Sequence, residues 1–88
     1  MIVQTDAGNR STRYTNTIVV AVSTASHAVP FHVSIDPSEA NGLTRRCYVL
    51  CEQLMTISKE RLDGYIGDVE EELMVRVDAA LKRVLALR

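Results

Sequence analysis

The chain lacks any long apolar run: its uninterrupted apolar stretches extend only a few residues, far short of the about 20 that a membrane-spanning helix takes, and no membrane partner follows. Its opening, MIVQTDAGNR, has neither the basic region nor the apolar core of a secretory signal, so the protein is read as intracellular and cytoplasmic. Cysteine is scarce, with only Cys47 and Cys51. Four positions apart on a strand, they share a face but stand too far apart for a disulfide, and no third sulfur or nearby histidine completes a zinc set. Both read as buried core thiols, and no metal or cofactor is expected. A strong charge of either sign is also missing: the formal net charge of −1 gives no global attraction to phosphate. Nor is there a P-loop, a Rossmann glycine set, an HExxH or a Cys-His-Asp constellation. The two histidines, His27 in a loop and His32 facing outward with Ser34, have no Asp or Cys partner at a motif spacing and read as exposed and idle.

What is present is an ordinary globular composition, 47% hydrophobic and 24% charged over 88 residues, which reads as a single domain of residues 1–88. A folded chain of this size buries only about 60 to 65% of its unfolded surface, so a partner subunit would add stability. Charge is unevenly placed. Residues 1–51 hold Arg10, Arg13, Arg45 and Arg46 against Asp6, Asp36 and Glu39, whereas residues 52–88 carry eight acids against six bases, so an anion site belongs to the first half or between two such halves.

In chain order, Ile2-Val3-Gln4 reads as the tail of a strand, Asp6-Ala7-Gly8-Asn9 as a turn, and the polar run to Asn16 as a mobile loop. That loop holds Arg10, Arg13 and Tyr14; two guanidiniums and an aromatic suit phosphate contact and base stacking, but loops are also where such residues simply meet water. Thr17 to Val22, rich in β-branched residues, reads as a central strand covered on both faces and ending in the hydroxyls Ser23 and Thr24. Phe31 to Ile35 alternates as a half-exposed strand, and Asp36 to Gly42 is a loop. Cys47 to Cys51 is a further strand ending in Glu52-Gln53, with Met55-Thr56-Ile57 a short strand after a bend. From Val69 to about Leu87, apolar residues recur at steps of three and four, which predicts a helix with one apolar face. Glu70, Glu71 and Glu72 lie at its start and Lys82, Arg83 and Arg88 at its end, as the helix dipole favours, and Glu72 with Arg76 and Asp78 with Lys82 are spaced to pair. Strands followed by one helix, without βαβ alternation, predict a small antiparallel barrel or curled sheet with a C-terminal helix.

The side chains suit a narrow range of chemistry. Metal-free RNA cleavage needs a base for the 2′-hydroxyl proton, an acid for the leaving oxygen, and cations or donors for the phosphorane. Glu52 can accept a proton, Ser23 and Thr24 can donate hydrogen bonds, and arginines can hold charge.

The run Glu52-Gln53, Thr56-Ile57-Ser58-Lys59 and Arg61-Leu62 resembles the MazF/PemK family of toxin endoribonucleases. The resemblance extends through Ile2 to Asn9, Thr17 to Thr24, and Val77-Asp78, Ala80-Leu81 and Leu85-Ala86-Leu87. It implies an SH3-like barrel of the MazF/PemK/CcdB type, a homodimer, metal-independent cleavage of single-stranded RNA at a short sequence, and inhibition by a small acidic antitoxin. Carried over by position, Ser23, Thr24 and Glu52 are the expected catalytic residues, and Asn9, Arg10, Arg13, Tyr14 and Gln53 the expected RNA-binding ones. Met55 stands where the family commonly has arginine, and the family's catalytic Arg-Pro belongs just before this sequence opens. Either the true start lies upstream or the chain is N-terminally truncated, and weak or undetectable cleavage is expected of residues 1–88. The alternative is a non-catalytic, dimerising module that binds antitoxin or, as gyrase-poisoning relatives do, a protein target. If the protein binds RNA, the loop of Arg10, Arg13 and Tyr14 is expected to share one rim with Ser23, Thr24, Glu52 and Gln53.

Overall fold

The computed structural model describes residues 1–26 and 29–87. Strands β1 (Asn16–Ser23), β2 (His32–Ile35) and β3 (Cys47–Ser58) form an antiparallel sheet in the order β1-β3-β2. The centre of the sheet is β3, where Cys47, Val49, Leu50 and Cys51 are all buried. The β-branched run of β1 is thus not covered on both faces: Ile18 and Val22 remain 39% and 41% exposed. Among the described residues, what lies beyond β1 is the short N-terminal segment, in which Ile2 bridges to Val19, Val3 N–H donates to the Ile18 carbonyl, and the Met1 ammonium donates to Val20 O.

Opposite β1, β3 skips three residues. Val20 pairs with Leu54 and Ala21 with Leu50, which leaves Cys51, Glu52 and Gln53 without a β1 partner. Extra residues on one side of a ladder bend that strand. Glu52-Gln53 therefore sits at a kink within one continuous strand, not at a strand end, because Leu54 to Ser58 resumes pairing with Asn16 to Val20.

Asp6–Arg10 is a short helix, α1, where a turn leading into a loop is expected. Its corner is fastened by side chains: Asn9 Oδ1 accepts from the Thr17 hydroxyl at 2.6 Å and from Gln4 Nε2 at 3.1 Å, while Asn9 Nδ2 donates to Gln4 O at 3.1 Å. Lys59 Nζ, just beyond β3, donates to Gly8 O and Ser11 O at 2.9 and 3.0 Å, supplying a cation where the last carbonyls of α1 lack helical partners.

The long helix α2 runs from Glu71 to Val84, shorter than the expected span. Val77 and Ala80 enter the core with Val20, Val33, Ile35, Val49 and Cys51, and Leu73, Leu81 and Val84 pack around them. Val69 and Glu70 lie outside it because the approach is held by loop 36–43: Asp68 N donates to Ala40 O at 2.8 Å, and the Glu70 carboxylate accepts from Ser38 Oγ and from Asn41 Nδ2. Gly67 packs so closely on the Ala40 and Asn41 carbonyls that a Cβ there would collide with both. At the other end, Ala86 adopts φ +54°, with Ala86 N bonded to Arg83 O and Leu87 N to Lys82 O, a Schellman ending that places alanine in the left-handed region. The expected pairs Glu72–Arg76 and Asp78–Lys82 do not form; among the described residues the ion pairs are His32–Glu52 and Arg46–Asp36. No helix among the described residues is long and apolar enough to cross a membrane.

Candidate functional site

Directly paired residues in a sheet point to the same side. The register aligns Ser23, Tyr48 and Ser34 in one row and Ala21, Leu50 and His32 in the next. Val33, Ile35 and Val49 point the other way, into the core shared with Val77 and Ala80 of α2, so these two rows occupy the face turned from the helix.

On that face His32 is anything but idle. Its Nε2 lies 2.9 Å from Glu52 Oε2 and its Nδ1 lies 2.8 Å from Ser26 Oγ. The imidazole is 7% exposed and the Glu52 side chain 35% exposed, so the ring is covered and the carboxylate faces solvent. The hydrogen bond from His32 is the main reason the Glu52 carboxyl is held below its ordinary value, against a smaller opposing effect of desolvation. Sequence reading missed this partner because Glu52 is 20 residues away and only β2–β3 pairing brings the two together. The β2 alternation combined with a register for the 36–46 connection was the available signal; Ser26 carried none. His27 lies outside the described residues.

Ser23 is half-buried, its Oγ accepting from Ala25 N at 3.1 Å to shape the turn, and Thr24 is exposed beside it. Ser23 pairs with Tyr48, four residues before Glu52, so about 13 Å of strand separates the Ser23 row from Glu52. Gln53 is exposed at the kink. Arg10, Arg13 and Tyr14 are also exposed, but they lie near Asn16, which pairs with Ser58 at the end of β1 remote from Ser23. Seven residues of strand, about 23 Å, separate those ends, so a single rim is not formed. Instead the two groups flank the kink that carries Glu52 and Gln53. Arg13 and Tyr14 line a depression of about 850 Å³ together with Val3, Thr5, Ser11 and Ile18. Asn9 spends its amide on Thr17 and Gln4 and serves the α1 corner. Arg46 is engaged by Asp36 at 2.7 Å, and Met55 is 49% exposed. Among the described residues no group of three His, Cys, Asp or Glu side chains is gathered to hold a metal ion.

A carboxylate oriented by a buried imidazole, with hydroxyls and an exposed amide along the same sheet, can accept a proton and contact a polar chain. Comparison with known proteins gives this arrangement its context. Endoribonuclease EndoA of Bacillus subtilis (strain 168) is 39% identical over 90 residues, covering 99% of this chain and 74% of that protein. Endoribonuclease MazF of Staphylococcus epidermidis is 33% identical over 90 residues, covering 99% and 72%. Among solved structures, an endoribonuclease in complex with its cognate antitoxin from Mycobacterial species superposes with a TM-score of 0.85 at 31% identity, covering 100% of this chain and 80% of that one. Residues 1–85 match the family of PemK-like, MazF-like toxins of type II toxin-antitoxin systems, and the chain belongs to that family.

Proposed function

We propose that the chain is a toxin endoribonuclease that cleaves single-stranded RNA at a short sequence without a metal, in the cytoplasm where messenger RNA is found, and that a small acidic antitoxin silences it. The observation that carries this reading is the family match over residues 1–85, on a chain whose Glu52-Gln53 pair presents a partly exposed carboxylate oriented by His32. In this reading Glu52 takes the proton from a ribose 2′-hydroxyl, the freed oxygen attacks the adjacent phosphorus to form a 2′,3′-cyclic phosphate, and the bond to the 5′ oxygen breaks as that oxygen takes a proton from water; Ser23 and Thr24 donate hydrogen bonds to the RNA phosphates. The strand runs lengthwise along the sheet, with Arg10 and Arg13 on phosphates, Tyr14 stacked on a base, and Gln53 reading a base edge. Asn9 contributes by holding the α1 corner. The protein pairs as a homodimer, a reading supported by the exposed apolar side chains of Tyr65, Ile66 and Leu62, which a second copy would cover.

The second reading, an antitoxin-binding module with impaired catalysis, is favoured by one observation: the partner of Glu52 is His32, while Arg10 and Arg13 stand at the far end of β1. Titration of a fluorescent, uncleavable RNA at several salt concentrations tests the RNA reading. Arg10→Ala and Arg13→Ala should each weaken binding and flatten its salt dependence, Gln53→Ala should alter base preference, and Lys82→Ala and Arg83→Ala on α2 should change neither. Equal losses from the loop and helix variants would reduce binding to diffuse electrostatics and remove the proposed path.

A further inference from the structure

Ser26, His32 and Glu52 form one hydrogen-bonded chain that starts in the β1–β2 connection, passes through β2 and ends at the kink of β3. Its links are 2.8 Å from Ser26 Oγ to His32 Nδ1 and 2.9 Å from His32 Nε2 to Glu52 Oε2. Exposure rises along it: the His32 ring is 7% exposed and the Glu52 side chain 35%. RNA approaching this face therefore meets the carboxylate and not the ring. We infer that His32, with its tautomer set by Ser26 and Glu52, is a positioning residue that acts on the RNA reaction only through Glu52.

An ionised carboxylate can only accept, so the proton between the two groups belongs to His32 Nε2. The other ring nitrogen, Nδ1, faces the Ser26 hydroxyl, which fixes the plane of the ring from the opposite side. The consequence on the solvent side is that one carboxylate oxygen is tethered, which fixes the orientation of the group that would receive the 2′-hydroxyl proton.

The inference rests on the endoribonuclease reading for its consequence, though not for its geometry, and the experiment separates the two. In the 88-residue chain, His32→Gln keeps an N–H within reach of Glu52, and His32→Phe fills the space without a donor. Circular dichroism first establishes that both variants fold; His32→Leu provides the same test if His32→Phe does not. The first readout is the ¹³C titration of the Glu52 carboxyl, expected to stay low in His32→Gln and to rise to the ordinary carboxylate value in His32→Phe. The second is single-turnover RNA cleavage: His32→Gln should stay within a few-fold of the parent, and His32→Phe should fall about tenfold in rate. A Glu52 titration that ignores His32→Phe, or a cleavage rate that falls equally in His32→Gln and His32→Phe, overturns the inference. If the parent leaves RNA intact, the endoribonuclease reading falls while the carboxyl titration still decides whether His32 positions Glu52.

Discussion

Replacing Asn41 by alanine should cost about 3 kcal/mol of stability, a large part of what holds so small a domain together. Asn41 is 4% exposed and lies where loop 36–43 meets the approach to α2. Its Oδ1 accepts from Ser38 N and Leu43 N, both at 3.0 Å, and its Nδ2 donates to Asp36 O at 2.9 Å and Glu70 Oε1 at 3.2 Å. Alanine leaves two N–H groups and a carbonyl without these partners. At about 1 to 3 kcal/mol for each group that stays dry, and less for those that water reaches, a total near 3 kcal/mol follows. For a domain of this size about 4 to 8 °C of melting temperature accompanies each kcal/mol, so the transition should fall by roughly 15 °C. Asn41→Asp is the informative companion. It keeps both accepted bonds but sets a carboxylate against Asp36 O and Glu70, so it should be destabilised at neutral pH and recover as the introduced carboxyl takes up a proton. Urea unfolding of the three proteins at pH 5 and 7 measures this. A difference of under 0.5 kcal/mol between Asn41→Ala and the parent would show that the loop does not anchor the helix.

Three further outcomes follow from other parts of the fold. Ala86→Gly should stabilise the protein by about 0.5 to 1 kcal/mol in thermal melts, because an alanine in the left-handed region costs about 1 to 2 kcal/mol, of which the greater chain entropy of glycine returns about half. Cys47 and Cys51 are buried, and burial pushes the Cys51 thiol above its ordinary value, so a thiol reagent at pH 8 should label neither until the protein is unfolded. The carboxyls of Asp36, Glu52 and Glu70 are held below their ordinary values, chiefly by Arg46, His32 and Ser38 respectively. Groups shifted down bind protons less tightly in the folded state, so their contribution is complete above about pH 4.5 and is lost as pH falls through the lower folded values; the urea midpoint should be level from pH 5 to 7 and drop below about pH 4.

The helix was legible because Leu73, Val77, Ala80, Leu81 and Val84 repeat at helical steps whatever surrounds them, whereas its start was not. Val69 and Glu70 look helical locally, but Asp68 and Glu70 on either side of Val69 are held by Ala40, Ser38 and Asn41, about 30 residues earlier. The same holds for α1, which is fastened by Lys59, and for β1, whose β-branched run has the composition of a central strand while its actual neighbours leave one face partly open. Strand identity can be read from such a run; strand position cannot. Glu52 and Gln53 were found through their family wording, and the bend after them was visible, but their place within a single strand depends on pairing with Asn16 to Val20. The expected rim failed for a simple reason of length: residues flanking an eight-residue strand cannot both gather at one end of it. His32 and Ser26 escaped notice because hydrogen-bond chains across strands leave no local spacing to detect.

The central claim is that Glu52 serves metal-free RNA cleavage, and one measurement bears on it most directly. Single-stranded RNA carrying a fluorophore and quencher is incubated with excess purified protein and excess EDTA, and the parent is compared with Glu52→Gln. The account predicts cleavage at a short sequence that the chelator leaves unchanged and that falls on the order of 10²-fold in Glu52→Gln, the scale of losing a positioned general base. Cleavage abolished by EDTA, or an equal rate in Glu52→Gln, would contradict it.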